Sequence, residues 1–521
     1  MNSPAKTMDC LVEDSGLGIS DLRVAAVLVF AILNLAVFLV RLIVVRRYGA
    51  LFPTCGGEAT TIYFVWKKVH GLPVYGWPFA YPFSFVPYNY LFFETYAFFL
   101  RLIGADGVET LTSGRLITPV FAVVGAIAQW KLVQNHLNLR GIRSFLSFFF
   151  ALGLWFSASI VRYMAITVKP DMAAIAMVMV ALWMVVGKLR FRFAYAGVLF
   201  YLAWSFKQSV VFSLFSVCLF LLFHKRWRDV STLATLFAVL ASTTILLGTP
   251  EYRFNTLVAP RFIAWSVMWA LRIAPKSLVA NAYWILAPIA LLCAKGKHRA
   301  DNTVRLLTAV LAVSLAGGLA AMTKVGSWDG YLLEAFAAGS TLLEMAVFAA
   351  PARFASALVI FGCAQPAIQL AAPQSGAHQH LLGTVGIATA VEYADAVALR
   401  DRLAPLKKPL FTTNEIFSAP WFSSDNRAPA LVIDTLLHES TKSRCQNGCF
   451  EGMLERGEIP SVLLLKDVDP YLGSLNPSYK KTGEGIYADT AWCIYVLESK
   501  APSVHPPVTE SAAQDSPPDH H

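Results

Sequence analysis

The chain contains 521 residues, of which 56% are hydrophobic and only 15% are charged. Soluble globular proteins carry about 25% charged residues, so this composition excludes an ordinary soluble protein and indicates a polytopic membrane protein. The formal net charge is +10, but the basic residues gather in short links between apolar runs, a pattern that indicates membrane topology and excludes a nucleic-acid-binding surface.

Eleven apolar runs have about the length that crosses a bilayer, for which roughly 17–25 residues are needed. The predicted spans are residues 22–45, 112–134, 144–161, 171–187, 193–207, 208–223, 230–248, 278–294, 306–322, 335–350 and 355–372. The division between the fifth and sixth spans rests on the polar residues Lys207 and Gln208. The sequence therefore predicts an all-α polytopic membrane protein with about eleven transmembrane helices.

The first long link places a carboxylate, Glu58, directly after the first span, in the sequence GGEAT. Residues 58–70 and 87–104 are predicted as juxtamembrane helices that lie along the membrane surface, because charged residues interrupt their apolar faces. Between the two helices runs a stretch rich in aromatic residues and proline, YGWPFAYPFSFVPYNYLFF. This combination predicts a site at the boundary between water and lipid.

Basic residues in alternate links set the predicted topology, since Lys and Arg favour the cytoplasmic side. With the N-terminus inside, the inside links contain Arg140, Arg143, Lys188, Arg190, Arg192, Lys225, Arg226, Arg228, Lys295, Lys297, Arg299, Arg305 and Arg353. The pair Arg46-Arg47 departs from this rule, because it follows the first span on the outside. The links rich in aromatic, acidic and proline residues then face outward.

Four polar clusters fall at the outer ends of the predicted spans. They are Glu58 with the aromatic stretch, Arg162-Tyr163 with Lys169-Pro170-Asp171, Lys207-Gln208, and the loop from Lys324 to Glu334. A charge near membrane depth costs roughly 2.5–3.5 kcal/mol, so such residues are candidates for function. Each cluster alone also has a structural explanation: a charge at a helix start, a snorkelling lysine, an ion pair or an interfacial aromatic belt. Their shared side is what favours one site.

The composition changes near residue 373, which divides the chain into a transmembrane part (1–372), a small C-terminal α/β module (373–500) and a polar, proline-rich tail (501–521) predicted to be disordered. Within the module the pattern predicts a helix at 397–406 and strands at 430–436, 461–465 and 492–497. An odd number of spans places this module outside the cell or in the periplasm.

The order of these motifs resembles the GT-C superfamily of integral membrane glycosyltransferases, which includes protein O-mannosyltransferases and the lipid A aminoarabinose transferase. The similar segments are GGEAT with HGLPVYGWPFAYPFSFVPYNY, SGRLITPV with Arg115, VKPDMAAIAMVMVALW, WSFKQSVVFSLFSVCLFLL and TKVGSWDGYLLEAFAAG. Two positions depart from the superfamily pattern. Glu58 stands alone where many relatives have Asp or Asp-Glu, and Gly330 stands where many relatives have Asn.

The resemblance implies an inverting glycosyltransferase in the inner (plasma) membrane, with its site facing the periplasm. The donor would be a sugar on a polyprenyl phosphate, and the acceptor a glycan, lipid or protein. Glu58 would be the general base, with Asp171 as a second acidic candidate. Cations would stabilise the leaving phosphate: Lys169, Arg162, Lys207 and Lys324. Sugar contacts would come from Tyr331, Glu334, Trp77, Tyr81 and Tyr88. This chemistry requires no metal ion. The resemblance leaves the binding of a divalent cation open, because some relatives use one.

Three other functions fit parts of the pattern. A transporter or lipid flippase would carry charges in mid-span and show related halves, whereas these charges gather at span ends. A membrane scaffold would depend on its outer module and not on Glu58 or Lys169. A glycan ligase or polymerase would use the same lipid donor with a preassembled glycan.

Overall fold

The structure, a computed structural model, is mainly helical, with a small sheet near the C-terminus. It describes residues 21–49, 51–52, 54, 57–77, 85–106, 108–158, 160–161, 164–292, 301–349, 352–371, 390–406, 410–412, 448–467, 469, 471–487 and 490–498. The candidate site residues Arg162 and Tyr81 lie outside the described residues, so their predicted contacts stay predictions.

Two long helices flank two shorter ones at the start of the chain. They are α1 (Asp21–Tyr48), α2 (Glu58–Val69), α3 (Tyr90–Leu102) and α4 (Val108–Leu137). The short helices α2 and α3 pack together through apolar side chains that include Ile62, Val65, Phe92 and Tyr96. Both helices predicted in the first long link are therefore confirmed as helices.

The middle of the chain forms five helices: α5 (Gly141–Ser157), α6 (Asp171–Val186), α7 (Arg192–Phe206), α8 (Phe212–Phe223) and α9 (Trp227–Leu247). Helix α6 packs against α4, α7 and the later helix Leu333–Ala349, and it is buried along most of its length. Such burial is expected of a helix that is apolar on all sides. The predicted break near Lys207 is confirmed, because residues 207–211 separate α7 from α8.

The next part of the chain is more irregular before it returns to long helices. It contains α10 (Pro250–Arg253), a π-helical turn (Phe254–Val258), 3-10 turns (Ala259–Phe262 and Asp329–Leu332), α11 (Val267–Ala280), α12 (Ala282–Ile285), α13 (Ala287–Leu292), α14 (Asn302–Ala321), α15 (Leu333–Ala349) and α16 (Ala352–Ala371). The run predicted as a span at 278–294 is not one straight helix, since α11 is bent by 72° from the segment Ala282–Leu292.

Five helical segments among the described residues are long and apolar enough to cross a membrane. They are Arg23–Arg47, Glu109–Leu137, Trp227–Leu247, Asn302–Ala321 and Asp329–Ala349, and the bent pair would raise the number to 6. Shorter apolar helices cover Gly141–Ser157, Asp171–Val186 and Phe212–Phe223. Apart from 278–294, which covers parts of three helices, each predicted apolar run coincides with one helix. The protein is a multi-pass membrane protein. The number of eleven spans stays a prediction.

Contacts between helix termini define two ends of the bundle. At one end, Arg23 of α1 donates to the carbonyl of Val347 (3.1 Å) and Arg143 of α5 donates to the carbonyl of Phe348 (3.2 Å). These cations lie where the dipole of α15 is negative, at its C-terminus. The opposite end, where α1 and α7 end and α4, α6, α8 and α15 begin, is called the site end below.

A buried polar network joins α4, α5 and α15 away from the site end. The Glu344 carboxylate accepts hydrogen bonds from Gln129 Nε2 (2.7 Å) and from the Ser147 hydroxyl. The Gln129 carbonyl oxygen accepts from Trp155 Nε1 (2.9 Å) and from Ser340 Oγ (2.8 Å). Because each of these polar side chains is partnered, the network favours one arrangement of the three helices.

Gly125 allows the Trp155 ring to pack directly against α4. A Cβ atom at this position would lie 2.1, 2.3 and 2.5 Å from atoms of that ring, and Trp155 is fully buried. We expect Gly125→Ala to displace the ring and lower the free energy of unfolding by about 1–3 kcal/mol. Thermal unfolding in detergent should show a lower Tm. The control is Gly473→Ala, whose Cβ would have no described atom within 4 Å. Equal Tm values for the two variants would contradict the packing argument.

The C-terminal module contains a four-stranded sheet with the order β1-β2-β4-β3. Its elements are α17 (Ala390–Leu403), β1 (Leu410–Thr412), α18 (Cys449–Glu455), β2 (Ser461–Leu465), a 3-10 turn (Leu472–Ser474), β3 (Tyr479–Tyr487) and β4 (Thr490–Leu497). Strands β1 and β2 are parallel, and the other pairs are antiparallel. Helix α17 packs on β3, where a Cβ on Gly485 would lie 2.7 Å from Leu399.

Two of the predicted strands are confirmed, at 461–465 and within 490–497. The predicted helix at 397–406 was placed too late, since α17 begins at Ala390 and ends at Leu403. The strand predicted at 430–436 lies outside the described residues. The sequence did not predict β3, because its sequence YKKTGEGIY is polar and rich in glycine, as edge strands often are.

Candidate functional site

Glu58 is the first residue of α2 and is fully buried at the site end. The preceding residue, Gly57, has φ 76°, a left-handed conformation that glycine adopts without steric cost. This turn directs the Glu58 side chain inward, away from solvent.

Four N–H groups surround the Glu58 carboxylate. Arg115 donates from Nε to Oε1 (3.0 Å) and from Nη2 to Oε2 (2.6 Å). The backbone N–H of Val168 donates to Oε1 (3.0 Å), and that of Thr54 donates to Oε2 (2.5 Å). Arg115 also donates to the carbonyls of Gly49 (2.7 Å) and Phe52 (2.9 Å). One bidentate ion pair therefore joins the end of α1, the start of α2, the start of α4 and the segment before α6.

In the structure the predicted general base, Glu58, is enclosed by hydrogen-bond donors. Burial by itself would raise the pKa of Glu58. The charge of Arg115 and the hydrogen bonds from Arg115, Thr54 and Val168 have the larger opposite effect, so the pKa of Glu58 lies below its usual value. Each carboxylate oxygen already accepts two hydrogen bonds. The Glu58–Arg115 ion pair with its backbone hydrogen bonds is called the brace below.

The brace extends through hydroxyl groups to the segment that carries Lys169. Thr54 and Thr167 share a hydrogen bond between their hydroxyls (2.6 Å), and Thr118 Oγ1 donates to the Thr167 carbonyl (2.9 Å). Lys169 Nζ lies 3.7 Å from the point where a Cβ on Gly57 would be. The turn that starts α2 and the predicted phosphate-binding Lys169 are therefore neighbours.

Asp171 and Lys207 form a second ion pair at the site end. Asp171 is the first residue of α6 and Lys207 follows the last residue of α7. Lys207 Nζ donates to Asp171 Oδ1 at 2.6 Å, and the two side chains are 15% and 4% exposed. Burial lowers the pKa of Lys207, but the Asp171 charge, with smaller contributions from Tyr331 and Tyr88, raises it above the usual value. Lys207 therefore stays cationic at neutral pH.

This second pair lines a small cleft, whose enclosed space of about 10 Å³ is roughly that of one water molecule. The lining residues are Asp171, Ile175, Lys207, Ser209, Val210, Gly330, Tyr331, Leu333 and Glu334. The Tyr331 ring stands 5.3 Å from Lys207 Nζ, within the range of a cation–π contact. Among the described residues, no hydrogen bond reaches Asp171 Oδ2. The cleft therefore offers a cation, a carboxylate oxygen and an aromatic face.

Glu334 lines the cleft, but its carboxylate is already bound to a helix terminus. It accepts hydrogen bonds from the backbone N–H groups of Val211 (3.1 Å), Phe212 (3.3 Å) and Ser213 (2.6 Å). These amides begin α8, where the helix dipole favours a negative charge. The predicted sugar contact of Glu334 therefore competes with three hydrogen bonds, and its observed role is to hold α15 against α8.

Lys324 lies outside the residues that line the cleft. Its Nζ stands 5.3 Å from the Trp265 ring and 3.5 Å from the Pro260 carbonyl oxygen, and burial lowers its pKa. A short antiparallel bridge joins residues 265 and 324. Trp269 Nε1 donates to the Ser327 carbonyl at 2.9 Å. Lys324 thus holds the loop after α14 against the segment before α11.

The predicted aromatic residues occupy different surroundings. Trp77 packs against Phe254 (5.3 Å between rings) and is 38% exposed. Tyr88 packs against Phe92 (6.1 Å between rings) and is not among the residues that line the cleft. The Gln208 amide donates to the Pro87 carbonyl, so this aromatic segment is tied to the link between α7 and α8.

Sequence reasoning missed the role of Arg115, which was noted only as the arginine that opens the second span. A signal was available in the sequence. An unpaired charge at membrane depth is costly, so Glu58 and Arg115, both at span ends, could have been expected to pair. The part of the chain that the structure describes contains no group of three or more His, Cys, Asp or Glu residues that could hold a metal ion.

No family model matches the chain, and no curated protein matches it. Its fold is similar to that of ArnT from Cupriavidus metallidurans. The crystal structure of ArnT in the apo state has a TM-score of 0.60 and 12% identity, covering 89% of this chain and 97% of ArnT. The structure of ArnT bound to undecaprenyl phosphate has a TM-score of 0.59 and 11% identity, with the same coverage. The predicted polytopic helical fold is therefore one that the chain shares with ArnT.

Proposed function

We propose that this protein transfers a sugar from a polyprenyl-phosphate-linked donor to a glycan, lipid or protein acceptor at the outer face of the membrane. The observation that carries the proposal is the cleft at the site end, where Lys207, Asp171 and the Tyr331 ring meet. The fold supports the choice of lipid, because one similar structure is ArnT bound to undecaprenyl phosphate. Preorganised cations are a common means of stabilising a leaving phosphate.

The proposed reaction is a single displacement with inversion. The acceptor oxygen or nitrogen attacks the anomeric carbon as the bond from that carbon to the phosphate oxygen breaks. The electron pair of this bond leaves with the polyprenyl phosphate, whose added charge Lys207 stabilises. The acceptor proton moves to Asp171 Oδ2, the carboxylate oxygen that faces no described donor. Binding of the donor phosphate to Lys207 would weaken the ion pair and leave Asp171 more available as the base.

Glu58 and Arg115 are positioning residues in this proposal. Their ion pair holds the turn at Gly57 against the segment that carries Lys169. Lys169, which precedes Asp171 by two residues in the same segment, then supplies a second cation for the donor phosphate. The carboxylate at position 58 would then act through this ion pair, because Glu58 is not among the residues that line the cleft.

A divalent cation does not fit the carboxylates of this site. The Glu58 and Glu334 oxygens are occupied by N–H donors, and Asp171 is paired with an ammonium group. A hard cation needs several oxygen ligands together. The proposed transfer therefore uses Lys207 and Lys169 in place of a metal ion.

We propose a membrane topology together with this function. Residues 1–372 would cross the inner membrane eleven times, with the site end facing the periplasm or cell exterior. The basic links at the opposite end support this orientation, because Lys and Arg favour the cytoplasmic side. The module at 373–500 would then lie outside the membrane on the side of the site end. The predicted tail, 501–521, lies outside the described residues.

Undecaprenyl phosphate binding tests the proposal directly. We expect the purified protein to bind this lipid, and Lys207→Ala to weaken binding about 10-fold or more, since a charge-assisted hydrogen bond contributes roughly 1.5–3 kcal/mol. Native mass spectrometry with the lipid in detergent measures the affinity. The matched control is Lys466→Ala, an exposed lysine of the C-terminal module paired with Glu484. Equal binding by wild type and Lys207→Ala would contradict the assignment.

Transport is separated from transfer by a second measurement. In liposomes with a mixture of lipid-linked sugars and acceptors extracted from the host, a transferase forms a glycosylated product and free polyprenyl phosphate. Movement of the lipid-linked sugar across the bilayer without any product would support a flippase instead. In a deletion strain, the proposed function predicts accumulated lipid-linked sugar and the loss of one surface glycosyl group by mass spectrometry.

A further inference from the structure

Asn89 is the N-cap residue of α3, but its side chain makes no capping hydrogen bond with that helix. Asparagine is favoured at this position because its side-chain oxygen can accept a hydrogen bond from a backbone N–H of the first turn. The side chain of Asn89 is instead fully buried and bonds to residues of two other segments. Its role therefore lies outside α3.

The two hydrogen bonds of the Asn89 amide join α3 to the end of α7 and to α10. Asn89 Nδ2 donates to the Trp204 carbonyl (2.5 Å), and Oδ1 accepts from the Tyr252 hydroxyl (3.0 Å). Trp204 lies in the last turn of α7, where the carbonyl groups lack partners within the helix. Asn89 supplies the donor that this carbonyl needs, and the bond from Tyr252 fixes which way the amide points.

The chain segment held in this way carries Lys207, which follows the last residue of α7 with an extended backbone (φ −144°, ψ 109°). On the other side of Lys207, the Gln208 amide donates to the Pro87 carbonyl. The chain is therefore fastened on both sides of Lys207, at Trp204 and at Gln208, to one short segment, 87–89. A lysine whose backbone is held in this way has fewer positions available to its ammonium group.

The ammonium group of Lys207 is held separately, by Asp171 at 2.6 Å. A donor phosphate would compete with Asp171 for this ammonium group, because both are anionic. The hydrogen bonds of Asn89 and Gln208 do not involve the ammonium group, so they would persist during that exchange. Binding to an ordered side chain costs less conformational entropy than binding to a mobile one. The fastening would therefore raise the affinity of Lys207 for the phosphate without contacting it.

We propose that Asn89 is a positioning residue for Lys207. By binding the Trp204 carbonyl, Asn89 fixes the link between α7 and α8 so that the ammonium group stays in the cleft where the donor phosphate would bind. Gln208 assists through its bond to Pro87. This inference rests on the proposed function, because it concerns the cation that would bind the donor.

The test compares the binding of undecaprenyl phosphate, by native mass spectrometry, among the wild type, Asn89→Ala, Lys207→Ala and the double variant. Asn89→Ala should weaken binding about 3–10-fold, the range that corresponds to the net contribution of one hydrogen bond. In the Lys207→Ala background the same change should cause no further loss, because a positioning residue acts only through the residue that it positions. A general disturbance of the fold would weaken binding in both backgrounds, which would overturn the inference.

Asn281→Ala is a matched control. Asn281 is also fully buried and also precedes a helix, α12. Its Nδ2 donates to the Ser277 carbonyl (2.7 Å), and its Oδ1 accepts from Trp284 Nε1 (2.9 Å). Both asparagine variants should lower the Tm by similar amounts, since each loses two buried hydrogen bonds. Only Asn89→Ala should weaken lipid binding, and equal losses of affinity in the two variants would overturn the inference.

Gln208→Leu tests the second attachment and does not depend on the folding of Asn89→Ala, since Gln208 is only partly buried. It should also weaken binding, and only where Lys207 is present. If Lys207→Ala weakens binding while neither Asn89→Ala nor Gln208→Leu does, the inference is overturned and the proposed function stands. If Lys207→Ala binds the lipid as well as the wild type does, the assignment of Lys207 fails and the inference fails with it.

Discussion

Asp171→Asn should reduce the rate of sugar transfer about 10²–10⁴-fold, the range typical of a lost general base. The amide has nearly the same shape as the carboxylate and keeps an oxygen that can accept from Lys207. It cannot take the acceptor proton at the cleft. We therefore expect a low kcat with undecaprenyl phosphate binding largely retained. Rates with the lipid-linked donor, together with binding by native mass spectrometry, check both parts.

The Asp171 variant also removes the counter-ion of a buried lysine, so its folding must be measured. Breaking a buried ion pair from one side costs about 3–5 kcal/mol in many proteins. Asp171→Glu keeps the charge and displaces the carboxylate by one methylene, so it should fold normally and retain part of the activity. If Asp171→Asn binds the lipid and transfers sugar at the wild-type rate, Asp171 is not the base.

Separating Glu58 from Arg115 should lower the free energy of unfolding by about 3–5 kcal/mol, because the remaining partner would be a buried unpaired charge. Glu58→Gln places an amide NH₂ group against the N–H donors of Arg115 and Thr54. Arg115→Met leaves the carboxylate with its two backbone donors alone. Unfolding in detergent measures each variant. The double variant Glu58→Gln with Arg115→Met should lose less than the sum of the single losses, since the pair acts as a unit.

The same ion pair predicts a dependence of stability on acid. The pKa of Glu58 is lowered in the folded protein, so its contribution to stability is complete above the unfolded value, about 4.3 for a free glutamate. The contribution is lost as the pH falls below that value toward the folded pKa. Wild-type stability should therefore decrease more steeply below about pH 4.3 than that of Glu58→Gln. A Glu58→Gln variant as stable as the wild type but inactive would instead support a direct chemical role for Glu58.

The positions of the helices could be predicted because bilayer crossing imposes long apolar runs. The runs at 22–45, 112–134 and 306–322 coincide with α1, α4 and α14. The polar interruption at Lys207 marked the boundary between α7 and α8. The candidate residues Asp171, Lys207, Tyr331 and Glu334 do line one cleft, and this grouping followed from their shared position at span ends.

The partners of the charged residues could not be predicted from the same pattern. Glu58 and Arg115 are 57 positions apart, and Glu334 and Val211 are 123 positions apart. Hydropathy shows that these charges lie at the ends of spans, but it does not show which side chains face each other. Lys324 illustrates the difference, because it lies at the predicted end of the bundle and yet contacts Trp265 outside the cleft lining.

The sequence by itself determined the class of protein, the positions of its helices and the end of the bundle where polar residues gather, since these follow from the local cost of placing charges in lipid. Only the tertiary structure decided which carboxylates are enclosed by hydrogen-bond donors. Glu58 is enclosed by four N–H donors that come from three separate segments, whereas Asp171 faces the cleft with one oxygen toward Lys207. The enclosure of a carboxylate is a property of distant segments packed together, and no single stretch of the chain contains it.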